Sequence, residues 1–368
     1  MFNRFIFFWS IAAIGSISGI GIWWMYSQGF SSLSATWTVI FFLLFPILFT
    51  LPHVAIDHLP VFLVKIFAWT GSYWFIFVLY SSMFLVLYFI LYIGARLLHY
   101  YSFWQIWSGR LSFLVCSIVL LCILKGTWNA FHPKYRHITI LTSTPLAQKM
   151  TLAFITDIHL GPILSNSYSH ALIQRLNAAN PDAVIFGGDI IDGNIAFVLA
   201  DGSYKNFTKI KAPLGVYAVY GNHDYFNGDL DAEAALFTPL HFLRNQSVVL
   251  NNSVELTGLD DYLHHPVHTI PHRDNPYFKI LIDHEPLRIA PASLAGYDLY
   301  LSGHTHKGQF FPINLITKRL YVLHYGMRKF GQMVTIVSSG YGFWGPPMRL
   351  GSVPEIVLIH IRSTTDSI

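Results

Sequence analysis

The chain has 368 residues, 53% of them hydrophobic and only 11% charged, with a net charge of +4. Its charge is unevenly spread: residues 1–130 hold only Arg4, Asp57, Lys65, Arg96, Arg110 and Lys125, and the other 36 charged side chains follow. The excess positive charge lies wholly in the first part, and the balanced remainder gives no electrostatic reason to expect nucleic acid as a partner. Cys116 and Cys122 share one apolar segment. That excludes a disulfide framework and offers no metal-ligand spacing.

Four apolar stretches predict an α-helical membrane domain over residues 1–130, with helices at 5–26, 35–52, 66–95 and 111–128. The first is too long for a secretory h-region and reads as an anchor. The third is uncharged throughout and longer than a bilayer is thick. In the fourth, Lys125 would snorkel. With four spans, Arg4, Lys65, Lys125, Lys134 and Arg136 share one side, against Arg96 and Arg110 on the other. This bias puts the first side, and the C-terminal domain with it, in the cytoplasm, although one span more or fewer reverses it. A bacterial inner membrane is the expected location. Trp23, Trp24 and Tyr26, and the run from Tyr100 to Trp107, read as interfacial belts. His53, Asp57 and His58 read as polar residues of an interfacial loop rather than a metal site. Nothing in these helices has the pattern of a proton relay or of gating charges, so a transporter lacks support.

Residues 131–149 read as a linker and 150–368 as a soluble α/β domain. LAFIT (152–156) reads as a buried strand, and residues 168–179 follow helical spacing up to Asn180-Pro181. AVIFGG (183–188), GVYAVYG (215–221), KILID (279–283) and YDLYLSG (297–303) read as further strands, as do MVTIVSSG and EIVLIHI. The segment 260–274 carries four histidines and reads as an exposed loop rather than a lid.

Five short segments follow apolar strands: Asp157-x-His159, Gly188-Asp189, Gly221-Asn222-His223-Asp224, His284 in DHEP, and Gly303-His304-Thr305-His306. Strand ends of this kind are where α/β proteins gather ligands. Singly, each motif has a plain reading as a turn. Together they supply carboxylate, imidazole and amide groups without thiolate, a mixture suited to a pair of transition-metal ions.

In order and spacing these segments resemble the calcineurin-like metallophosphoesterase family over about residues 150–360. The resemblance implies an αββα sandwich of two mixed sheets flanked by helices. It also implies that Asp157, His159, Asp189 and His306 hold one metal, and that Asp189, Asn222, His284 and His304 hold the other. Of the divalent ions that suit such ligands, Mn2+ is favoured over Fe, Zn, Co or Ni. A hydroxide shared by the metals would attack phosphorus, with His223 serving the leaving oxygen and Asp224 orienting or charge-stabilising His223. Lys307 stands where relatives commonly carry glycine and would touch substrate, as would Arg349. Ser339 stands where an arginine is often found. The branch with an amino-terminal membrane region includes UDP-2,3-diacylglucosamine pyrophosphatases of lipid A synthesis. Expected partners are therefore a phosphorylated substrate, such as a nucleotide-linked lipid, and membrane lipids. A phospholipid or soluble phosphodiester substrate, or a non-catalytic membrane sensor or scaffold, are the alternatives.

Overall fold

The computed structural model describes residues 2–30, 32, 34–54, 59–265, 269–272 and 274–364. The chain divides into two compact units, residues 1–127 with 345–347, and residues 128–344 with 348–368.

The first unit is helical: α1 (Phe2–Ser27), α2 (Ala35–Val54), α3 (Val61–Leu97) and α4 (Tyr101–Ala130), whose end passes into the second unit. Each helix covers one expected stretch and extends beyond it. Among the described residues, α3 and α4 are long and apolar enough to cross a membrane. Small residues permit close helix approach. A Cβ at Gly71 of α3 would stand 2.5 Å from the Phe49 backbone of α2. Few polar side chains are buried here; Ser112 Oγ donates to the Met25 carbonyl, and Tyr26 and Ser81 share a hydrogen bond of 3.0 Å. Asp57, His58 and the side chain of His53 lie outside the described residues.

The second unit stacks two six-stranded sheets. In chain order its elements are β1 (Lys134–Thr142), β2 (Met150–Ile155), α5 (Asn166–Ala179), β3 (Ala183–Phe186), α6 (Ile195–Asp201), β4 (Val216–Ala218), α7 (Leu230–Leu236), β5 (His241–Phe242) and β6 (Gln246–Leu250). There follow β7 (Val254–Gly258), β8 (Phe278–Ile282), α8 (Ile289–Leu294), β9 (Leu299–Ser302), α9 (Ile313–Leu320), β10 (Gly326–Phe330), β11 (Met333–Val337) and β12 (Glu355–Ser363). The strand orders are β1-β12-β2-β3-β4-β5 and β10-β11-β9-β8-β7-β6. Strands β2 to β5 run parallel, as do β7, β8, β9 and β11, while β12, β6 and β10 add antiparallel partners.

Strands buried on both faces account for the continuous apolar runs. Leu152 and Phe154 of β2 face Ile280, Ile282 and Leu301 of the other sheet in one core. Ala153 and Ile155 turn the other way onto Leu172 and Leu176 of α5. Beyond the second sheet, Leu281 and Tyr300 pack on Ile289 and Ala292 of α8. The result is the αββα sandwich expected from the sequence.

Residues 131–149 are more than a linker. They contain β1, which pairs along its whole length with β12. The buried side chains of Ile138 and Ile140 alternate with exposed His137, Thr139 and Leu141. This is the period-two pattern of a half-buried strand, and charged residues at its start disguised it.

Candidate metal centre

Every proposed ligand lies just past the carboxyl end of a parallel strand. Asp157 and His159 follow β2, Asp189 follows β3, Asn222 follows β4, His284 follows β8, and His304 and His306 follow β9. The two sheets thus deliver their ligands to one edge of the sandwich.

The backbone there is bent hard. Asp157, His159, Asp189, His304 and His306 all have positive φ, between 48° and 66°. Non-glycine residues pay about 1–2 kcal/mol for this region, and it recurs at functional sites. Two glycines let the loops close in. A Cβ at Gly221 would stand 2.3 Å from Asp189 Oδ1, and one at Gly303 would stand 2.5 Å from Asp157 Oδ2.

The side chains converge in two groups. In the first, His159 Nε2 and His306 Nε2 are 3.0 Å apart, and His306 Nε2 is 3.5 Å from Asp157 Oδ1. In the second, His284 Nε2 lies 3.2 Å from Asp189 Oδ2, and His304 Nδ1 lies 3.0 Å from Asn222 Oδ1. Asp189 Oδ2 is also 3.7 Å from His159 Nε2, so this carboxylate stands between the groups. Asp157, His159 and His306, and separately Asp189, His284 and His304, bring ligand atoms within 4.8 Å of one another.

Electrostatics set these groups up for cations. Burial pushes the rings of His159 and His304 down to about 4 and about 3, and drives His306 well below the ordinary imidazole range; neighbouring imidazoles add to this. Burial opposes protonation of His284 too, but the Asp189 carboxylate outweighs it and holds that ring well above the usual range. Asp189 itself is held well below the carboxylate range because the rings of His284, His223 and His159 overcome its burial. Burial pushes Asp157 up to about 6. Two buried imidazole nitrogens facing each other at 3.0 Å, with carboxylates beside them, fit a divalent ion between them. The buried His284 Nε2 is consistent with this, since it lacks hydrogen-bond geometry to any partner. Its Nδ1 is 2.8 Å from the Gly187 carbonyl, a contact that fixes the ring with Nε2 turned toward Asp189.

Asp224 is not where the sequence reading expected it to act. Its carboxylate accepts backbone N–H groups from Gly221, Asp189, Ile190 and Ile191 at 2.8–3.1 Å. It pins the β3 and β4 loops to each other. The side chain at the His223 ring is Asp192, with Oδ1 2.9 Å from Nδ1. Asp192 was missed, although it lies three residues beyond Asp189 on the same loop. Adjacency in sequence pointed to Asp224, which acts on the His223 ring through its charge and not by contact.

The two expected substrate contacts differ from each other. Lys307 Nζ lies 4.5 Å above the Tyr325 ring. Arg349 is fully buried, donating to the carbonyls of Gly342 and Ser339, with Nη2 3.1 Å from His306 Nδ1. It holds the closing segment in place and cannot meet a substrate in solvent. Ser339 donates to the Val353 carbonyl in the same segment. In the histidine-rich segment, buried Asp261 binds the exposed His264, whose ring stacks on Tyr225 at 4.4 Å. Residues 266–268 and 273 lie outside the described residues.

Comparison with known proteins agrees with this geometry. The calcineurin-like phosphoesterase family model matches residues 150–308. An uncharacterised metallophosphoesterase of Campylobacter jejuni is 31% identical over 268 residues, covering 69% of each chain. One of Aquifex aeolicus is 32% identical over 66% of this chain and 98% of its own. A Bos taurus protein named for a transmembrane region with a metallophosphoesterase domain is 29% identical over 60% of this chain and 54% of its own. Identity at this level, across a domain whose strand ends gather acidic, amide and imidazole side chains, makes the chain a member of the calcineurin-like metallophosphoesterase family.

Proposed function

We propose that this chain is a membrane-anchored, dinuclear-metal phosphoesterase that hydrolyses a phosphodiester or pyrophosphate bond. The observation that carries this reading is the pairing of the two side-chain groups across Asp189. Asp157, His159, Asp189 and His306 would hold one ion, and Asp189, Asn222, His284 and His304 the other. Two such ions, Mn2+ by preference, would lower the pKa of an attacking water and neutralise charge on the phosphoryl oxygens.

The chain's own groups do the rest. Asp192 holds Nδ1 of His223, which orients the ring and leaves Nε2 free for the leaving oxygen. Burial opposes protonation of His223, yet Asp189 and Asp192 raise its pKa, so the ring carries the proton a leaving group needs. Asp224 contributes by fixing the loops that carry Asp189 and Asn222.

The helices α1 to α4 would form the membrane domain, with the catalytic domain in the cytoplasm at a bacterial inner membrane. The apolar length of α3 and α4 and the transmembrane relative support anchoring. A substrate with a nucleotide head and acyl tails, such as UDP-2,3-diacylglucosamine, would suit an enzyme kept at the bilayer. The deciding assay gives the purified full chain Mn2+ and, separately, UDP-2,3-diacylglucosamine and bis(p-nitrophenyl) phosphate. Cleavage of the second alone would discard the lipid A assignment. Cleavage of neither, under a panel of metals, would leave a scaffold.

A further inference from the structure

Helix α9 is an eight-residue helix none of whose residues is buried. Ile313, Ile316 and Leu320 fall at i, i+3 and i+7 along one face, and the exposed fraction rises along them to 51% at Ile316 and 71% at Leu320. Phe311 before the helix and Val322 after it are exposed as well. A soluble domain has no reason to keep so many apolar side chains together in water.

The polar side of α9 is engaged. A Cβ at Gly308 would stand 2.3 Å from Asn314 Cα, so the helix rests on the loop that follows His306. Thr317 Oγ1 is 3.2 Å from His324 Nδ1. Tyr321, directly after the helix, packs its ring edge-on to His304 at 6.1 Å. The apolar face therefore belongs to an element that rests on the loop after His306 and leads into the residue packed on His304.

Charge says what covers it. Residues 299–354 contain no aspartate or glutamate, yet they contain Lys307, Lys318, Arg319, Arg328, Lys329 and Arg349. Lys318 and Arg319 lie in the last turn of α9, and Arg328 and Lys329 are exposed on β10. An apolar helix face flanked by exposed cations, without an acidic side chain, has the chemistry of an interfacial helix on an anionic bilayer.

We propose that α9 docks on the surface of an anionic lipid bilayer, with Ile313, Ile316 and Leu320 among the acyl chains and Lys318 and Arg319 at the headgroups. The metal centre then opens where a lipid-borne phosphate is presented. This deepens the anchored-phosphoesterase reading and rests on it. Tethering by the helical unit supplies the high local concentration that a helix this short needs.

The test uses the full chain with Cys116→Ser and Cys122→Ser, carrying Ile316→Cys labelled with an environment-sensitive fluorophore. It is reconstituted into vesicles of phosphatidylcholine alone, or of phosphatidylcholine and phosphatidylglycerol in equal parts. We expect blue-shifted emission, quenched by spin-labelled lipid, that is strongest in the anionic vesicles. Lys318→Glu with Arg319→Glu should weaken the docked population by roughly tenfold or more, while hydrolysis of bis(p-nitrophenyl) phosphate stays within about twofold. Water-like emission in both vesicle types overturns the docking. So does a blue shift that disappears when the chain is diluted to one copy per vesicle, because a second copy would then be the cover. Failure of the underlying reading shows separately, as release of the chain by carbonate or as absence of any phosphoesterase activity, and the docking falls with it.

Discussion

The two ligand groups of the candidate centre both draw on histidine and aspartate but are supported differently. His284 is held from behind by the Gly187 carbonyl, and its group contains the only amide, Asn222. In the other group, His159 Nδ1 is buried without a hydrogen-bond partner, and Asp192 is 3.8 Å away. His306 Nδ1 has a guanidinium as its neighbour. A ring whose far nitrogen is fixed by a backbone carbonyl is already aligned for an ion, whereas one without such a partner must be aligned by the ion itself. Removal of such outer contacts typically costs 10–100-fold in metal affinity. The two proposed sites should therefore fill in sequence, with the His284 side first.

The most drastic way to break this comparison is Asp189→Ala, which removes the carboxylate the groups share. Turnover should fall by on the order of 10^3-fold or more, because the charge stabilisation from both ions goes with it. Elemental analysis should find less than one tight equivalent of metal. Next comes His223→Ala, which should cost roughly 10^2- to 10^4-fold in turnover while both equivalents remain bound. Retention of activity in either variant would refute the proposed mechanism.

Asp192→Asn sharpens the reading further. We expect a loss of roughly 10–100-fold and a displaced pH profile. His223 acts when protonated, so activity is lost as pH rises through its pKa. Asp192 raises that pKa, and the variant's alkaline limb should move to lower pH. Asp224→Asn should instead lower thermal stability and move the limb less, since its carboxylate accepts backbone N–H groups and reaches the His223 ring only through its charge. A moved limb in Asp224→Asn and a fixed one in Asp192→Asn would restore the assignment made from sequence.

A quieter consequence concerns protons. Ligation requires a neutral imidazole. Before metal binds, Asp189 holds His284 protonated, whereas burial keeps His159 and His304 neutral with values of about 4 and about 3. The first metal equivalent should then release about one proton at neutral pH and the second fewer. Calorimetry in two buffers of different ionisation enthalpy would measure this. Equal release at both steps would remove the electrostatic difference between the groups. The smallest effect should come from Lys307→Ala. With its ammonium stacked over Tyr325, the change in kcat/KM should be no more than about fivefold.

Much of this architecture was legible because the sandwich is written in apolar runs. Each run from LAFIT to YDLYLSG became a strand, and each motif residue sits at the strand's carboxyl edge. What escaped was information carried by contacts across the sheet or between loops. The strand KYRHITILT gains its place only by pairing with β12, so its charged beginning read as linker. Asp224 is next to His223 in the sequence and Asp192 only in space, and the backbone N–H groups that capture Asp224 separate their roles. Arg349 has the residue type of an anion clamp, but its burial and its carbonyl partners make it part of the frame.

The left-handed backbone at Asp157, His159, Asp189, His304 and His306 bears on how the domain could change over time. With several such residues costing about 1–2 kcal/mol each, the metal-free fold sits under tension at its ligand loops. Those loops should exchange amide hydrogen first, and metal should quiet them most. A descendant that gave up catalysis would be released from that tension, and glycine or asparagine at any of these positions would make it more stable. Decay of the site would then be favoured by folding itself.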